Sequence, residues 1–199
     1  MVGDAQATQH RLLEAAGQEF AARGIAGARV DRIAEVAKCN KAQIYHYFGS
    51  KEQLFDAVFN RLVADTLHEV PMDVTDLPGY AGRLFDRYER DPQVPRLATW
   101  YRLERADTQA PLEAIVTSNR DKVDAIARAQ RSGKLPAHVT AADLLALVLA
   151  LAAMWTSITP EFTELIATHT TADRRRVITD TVAAVLAERS AGRTARDGG

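Results

Sequence analysis

The chain has 199 residues, 47% hydrophobic and 26% charged, which suffices to bury a core and excludes a disordered chain. Its net charge of −1 excludes a polycation, so any nucleic-acid surface must be local. The single cysteine, Cys39, excludes an intramolecular disulfide and a thiolate zinc site, and suits a reducing cytoplasm.

The N-terminal stretch MVGDAQATQHRLL has no apolar run behind a basic start, so no signal peptide is expected. Ala7–Arg23 then sets Leu12, Leu13, Ala16 and Phe20 on one helical stripe, with Gly24 as a stop. Val30–Lys38 reads as a short helix with Ile33, Val36 and Ala37 inward. After a break at Cys39-Asn40, Lys41–Tyr47 forms a second short helix. Ser50 with Gln53 makes a capping box that opens a long helix to about Val70. Further helices are expected at 79–90, 94–106, 112–132, 140–156 and 173–190, punctuated by Pro92, Pro95, Pro111, Gly133, Pro136 and Pro160. The longest apolar run, Leu144–Trp155, spans 12 residues, too few to cross a bilayer. No β alternation of useful length occurs, so the fold class is all-α, about nine helices. The Gly-rich tail at 191–199 reads as disordered.

Two short helices with a brief break form a helix-turn-helix, here about 30–48. Between Ala28 and Lys51 stand five Lys/Arg against Asp31 and Glu35, a local charge of +3, which leaves −4 for the rest. In such a motif the second helix lies in the major groove, where base edges are distinguishable. Lys41 and Gln43 stand at its N-terminal end, suited to guanine and adenine respectively, and Ala42 is small enough for close approach. Ile44 and Phe48 face inward, whereas Tyr45 and His46 face out toward phosphates, and Lys51 adds a cation at a helix N-terminus. Tyr47 suits either a core or a contact role.

The string VDRIAEVAKCNKAQIYHYFGSKEQLF resembles the DNA-binding domain of the tetracycline-repressor (TetR) family. The matching positions are Ile33-Ala34, Ala37, Ile44-Tyr45, Tyr47-Phe48, Ser50-Lys51-Glu52 and Leu54. The resemblance implies a three-helix reader over 8–68, a helical ligand-binding and dimerisation domain over 69–190, and a homodimer on a near-palindromic DNA operator. It implies phosphate contacts at Tyr45, His46 and Lys51, and base-facing positions at Lys41 and Gln43. Two departures stand out: Lys38 and Cys39 replace the usual glycine and small apolar residue of the turn, and Ala28 and Arg29 replace two threonines. Lys38 and Arg29 are therefore expected to add phosphate contacts of their own.

The C-terminal part is less informative. Phe85, Tyr88, Trp100, Tyr101, Met154, Trp155 and Phe162, with the polar Glu104 and Asn119, suit the lining of a pocket for a small apolar effector among helices 79–90, 94–106, 112–132 and 140–156. Plain core packing would explain the rings as well. Helix 140–156 is apolar all round, so a second subunit is expected on it and on the last helix, through Leu147, Leu151 and Ile178. The histidines lack metal-ligand spacing, and no phosphate loop or nucleophile elbow occurs, so no metal, cofactor or enzymatic activity is expected. The expected function is a ligand-released repressor; the alternative is a helical carrier or enzyme that binds no DNA.

Overall fold

A computed structural model describes residues 2–105 and 111–187. Among them run ten α-helices and no strand: α1 Val2–Gly27, α2 Val30–Val36, α3 Lys41–Phe48, α4 Lys51–Glu69, α5 Leu77–Arg90, α6 Gln93–Arg105, α7 Glu113–Arg131, α8 Ala141–Ala153, α9 Pro160–Leu165 and α10 Thr171–Leu186. The tail expected at 191–199 lies outside the described residues. The short α9 was not expected, although Thr159 accepts the Phe162 N–H and Pro160 occupies its first turn.

The chain divides into two compact units. One holds the described residues within Met1–Glu69 and Tyr88–Ser118, the other those within Val70–Arg87 and Asn119–Gly199. The first unit takes in α6, because α6 shares the core of α1–α4. Leu12, Phe20, Ile33, Ile44, Leu54 and Phe55 are fully buried there, and Leu97 of α6 joins the same cluster. Four rings link three helices. Phe20 meets Phe55 edge-on at 5.2 Å, Phe55 stacks on Phe59 at 5.8 Å, and Phe59 stacks on Tyr101 of α6 at 4.6 Å.

Val36 corrects the expected pattern. It is 55% exposed, while Ile33 and Ala37 are buried as expected. Val36 is the last residue of α2 and edges a cleft shared with Glu19, Arg23 and Arg32.

In the second unit, Leu77, Tyr80, Leu84, Phe85, Ile126, Leu144, Val148 and Ile178 are buried. Arg175 of α10 pairs with Asp86 of α5 at 2.9 Å, and the Arg174 guanidinium lies over the Phe85 ring. Gln130 closes the α7–α8 loop by donating to the Pro136 and Val139 carbonyls, and Thr140 caps α8.

Gly24 stops the regular helix that runs up to Arg23, as expected, and kinks the chain there. Its φ of 71° and ψ of −178° lie in a region open in practice only to glycine, and three further residues follow before α1 ends at Gly27. A Cβ at Gly24 would stand 2.2 Å from Glu104 Oε1 and 2.8 Å from the Trp100 ring. Gly133 has a similar φ of 74° but open space around it. Gly24→Ala should therefore cost about 2–4 kcal/mol, from backbone strain plus overpacking. Gly133→Ala should cost only about 1 kcal/mol, from strain alone. Thermal melting followed by circular dichroism checks the difference, and equal midpoints for the two variants would contradict it.

Candidate nucleic-acid interface

The start of α2 lacks a hydroxyl cap, as the Ala28-Arg29 departure implies. Arg29 is the N-cap and makes no side-chain cap bond. Its N–H is taken from outside the motif, by Glu19 Oε1 of α1 at 3.3 Å. Glu19 is only 7% exposed and also pairs with Arg32 at 3.3 Å and Arg23 at 3.6 Å. Sequence reasoning missed this residue. The signal was an acid set among Ala15, Ala16 and Phe20 on a buried stripe, where a charge requires partners.

The turn ends α2 as a Schellman motif. The Cys39 N–H donates to the Ala34 carbonyl at 3.0 Å and the Lys38 N–H to the Glu35 carbonyl at 3.2 Å. Lys38 sits at the left-handed position, with φ 53°, where glycine would be relaxed. The geometry of the turn thus survives the departure, at a cost in strain. Cys39 packs half-buried against the core. Burial pushes its thiol up, against the opposing pull of Arg11, and so disfavours the thiolate.

Asn40 then caps α3 with a full capping box. Its Oδ1 accepts the Gln43 N–H at 2.8 Å, and Gln43 Oε1 accepts the Asn40 N–H at 3.1 Å. The box expected at Ser50–Gln53 is one-sided: Ser50 Oγ accepts the Gln53 N–H, but the Ser50 N–H goes to the Phe48 carbonyl. Ile44 is buried, and Tyr47 and Phe48 pack against the core. Arg29, Lys38, Lys41, Ala42, Tyr45 and His46 are exposed.

The polar side chains of the motif are less free than their positions suggest. Gln43 Oε1 is engaged by Asn40, so a bidentate adenine pair requires that bond to be shared, whereas donation from Nε2 does not. Lys41 Nζ lies 3.0 Å and 3.3 Å from the two carboxylate oxygens of Asp31 on α2. Lys51 Nζ donates to the carbonyls of Ala26 at 3.2 Å and Ala28 at 3.4 Å. Two of its three donors thus fasten the α1–α2 connection to α4 before any phosphate arrives.

The expected ligand residues are divided between the two units. Trp100, Tyr101 and Glu104 belong to the first unit and are spent on its helices. Trp100 Nε1 donates to the Ala21 carbonyl, Tyr101 stacks on Phe59, and Glu104 Oε2 accepts the Ala26 N–H at 2.9 Å. Arg105, next along α6, donates to the Glu52 carbonyl and to Asp56 in the first turns of α4. Tyr88 is half-buried in the same unit. In the second unit, Phe85 is buried under Arg174, and Trp155 Nε1 donates to the Arg174 carbonyl at 3.1 Å. Asn119 and Met154 are half-buried, and Phe162 is 47% exposed. Among the described residues no group of acids, histidines or cysteine is placed to hold a metal ion, and no helix is long and apolar enough to cross a membrane.

Lys38 and Lys51 should respond oppositely to truncation. Lys38→Gly should raise the thermal midpoint by up to about 3 °C, since it relieves a left-handed strain. It should also lower the salt slope of duplex binding by about one per subunit, as a lost phosphate contact does. Lys51→Ala should lower the midpoint by roughly 2–8 °C, from loss of charged hydrogen bonds worth about 1–2 kcal/mol. A neutral Lys51→Ala melt would return that ammonium to a purely DNA-facing role.

Comparison with known proteins agrees with this geometry. Residues 12–58 match the family model for bacterial regulatory proteins of the tetR family, and residues 76–184 match that for the tetracyclin repressor-like C-terminal domain. The HTH-type transcriptional repressor SCO4008 of Streptomyces coelicolor is 39% identical over 159 residues, covering 79% of this chain and 82% of the relative. The repressor NicS of Pseudomonas putida is 36% identical over 104 residues, 48% of this chain and 49% of its own. Among solved structures, the putative transcriptional regulator SCO4942 of Streptomyces coelicolor superposes with a TM-score of 0.78 at 39% identity, covering 89% of this chain and 97% of that one. The matched family models span both the helix-turn-helix and the helical remainder, and the chain belongs to the TetR family of DNA-binding transcriptional regulators.

Proposed function

We propose that this regulator is a repressor that binds a near-palindromic operator as a homodimer and is released by a small, largely apolar ligand. The observation that carries the DNA part is the exposed row of Lys38, Lys41, Tyr45 and His46 along the turn and reading helix. Tyr45 and His46 supply donors for phosphates, and Lys41 and Gln43 face the bases. Repression is supported by the names of the relatives SCO4008 and NicS.

Dimerisation runs through α8 and α10. Leu147 is 40% and Val177 38% exposed, and the exposed Ala146, Ala150, Ala183 and Ala184 permit close approach of a partner helix. Leu151 is half-buried and remains on this face. Ile178 does not: it is fully buried within its own chain, so Val177 carries the free surface in its place.

For the effector, Phe85, Asn119, Met154, Trp155 and Phe162 of the second unit remain the contact candidates. Trp100, Tyr101 and Glu104 act instead as the means of transmission. A shift of α6 would pull on Ala26 through Glu104 and on the first turn of α4 through Arg105. The two reading helices would then no longer match major grooves about 34 Å apart. Release requires the ligand to favour one spacing over the other by differential affinity.

Affinity selection from random duplexes tests the whole. A palindrome with fixed half-site spacing is expected, and a pool that stays unenriched overturns the proposal. The variant Leu147→Glu/Val177→Glu should run as a monomer in light scattering. It should bind the selected duplex about 100-fold or more weakly, because two linked half-sites no longer reinforce each other.

A further inference from the structure

We propose that Asp31, on the first short helix, is a positioning residue that sets base discrimination by holding Lys41 over the groove. The inference rests on the DNA-reading function proposed above.

Asp31 is the second residue of α2 and Lys41 the first of α3. The Schellman turn between them brings the ammonium within 3.0 Å and 3.3 Å of both carboxylate oxygens. Both side chains are otherwise exposed, so the pair stands on the surface that meets the duplex.

A lysine at the mouth of a reading helix is a poor reader when left alone. Its charge sits on a flexible four-carbon stem, and the nearest strong acceptor on a duplex is a phosphate, which carries no sequence information. A carboxylate that engages the ammonium changes this in two ways. It restricts the head group to one place, leaving a donor directed outward for a base acceptor. Its own negative charge also repels phosphate, so the tethered cation contributes less to sequence-independent attraction.

An acid in the first turn of α2 is also favoured by the helix dipole. That accounts for an acid on α2, but not for its contact with the first residue of the next helix. The neighbouring reader is treated alike: Gln43 is held by Asn40 through the reciprocal capping box. Both side chains placed to face bases thus have an internal partner that sets their direction before DNA binds, which spares the entropy of ordering them there.

The test runs parallel selections from one random duplex pool with the full-length wild type, Asp31→Asn and Lys41→Ala. Lys41→Ala should lose preference at one base pair per half-site. Asp31→Asn should lose preference at that same pair and keep the others, and Asp31→Glu should restore it. On a scrambled duplex of equal length, Asp31→Asn should bind up to about fivefold tighter, the range of an exposed ion pair, with a salt slope steeper by about one per subunit. A purely structural role would lower the melting midpoint and weaken all duplexes alike. The proposal is overturned by an Asp31→Asn pool identical to wild type, or by equal loosening at every position. It is likewise overturned if Lys41→Ala loses no position. Should Asn at this site impair folding, Asp31→Ser repeats the comparison. A wild-type pool without enrichment would sink DNA reading itself, and so separates the two failures.

Discussion

The backbone of Ala26 is held from both sides. Its N–H donates to Glu104 of α6 and its carbonyl accepts from Lys51 of α4. This crossing point exists because Gly24 breaks α1 in a conformation that lets Glu104 and Trp100 come against the backbone. From there the chain enters α2, and the direction of α2 sets that of α3. A charged partner on each of the two peptide groups that flank one residue is a strong constraint, since ionised partners make the tighter hydrogen bonds. The aromatic ladder from Phe20 to Tyr101 gives the same three helices an apolar core, so the polar clamp fixes orientation and the rings supply cohesion.

The reader itself is assembled by substitutions that compensate one another. The missing hydroxyl before α2 is replaced by a glutamate from a different helix, and the missing glycine in the turn by a lysine that tolerates a left-handed backbone. Strain at an exposed functional position persists only when the surroundings over-determine it. Here the two Schellman bonds, donated by the Lys38 and Cys39 N–H groups, and the capping box after them do so.

Helix positions were legible because stripes, caps and prolines are local signals. The motif was legible because its spacing is specific, and Ile44, Tyr45, His46 and Phe48 took the sides their spacing assigns. Partner choice was not legible. Nothing in the order of residues says that Glu104 closes on Ala26, 78 positions away, or that Lys51 finds carbonyls before phosphates. Glu104, expected as a polar group in a pocket lining, accepts a hydrogen bond from the protein's own backbone. Val36 and Ile178 failed for a different reason. On short or evenly apolar helices, periodicity alone does not fix how far the helix is turned about its axis, so a residue at the edge of the stripe can fall on either side.

The same tethering bears on how this surface meets DNA. The segment from Ala28 to Lys51 counts five cations, yet three are committed within the protein: Arg32 to Glu19, Lys41 to Asp31 and Lys51 to two carbonyls. Among the described residues, Arg29 and Lys38 are the two without such a partner, and they are the two departures from the family pattern. Sequence-independent affinity scales with the phosphates that cations neutralise. A reader with few loose cations and several oriented ones therefore holds random duplex weakly while keeping the directional contacts that discriminate bases. For a protein that must find one operator among a genome of competing sites, that ratio matters more than total charge, and a nearly neutral chain with a locally tethered basic surface is a physical route to it.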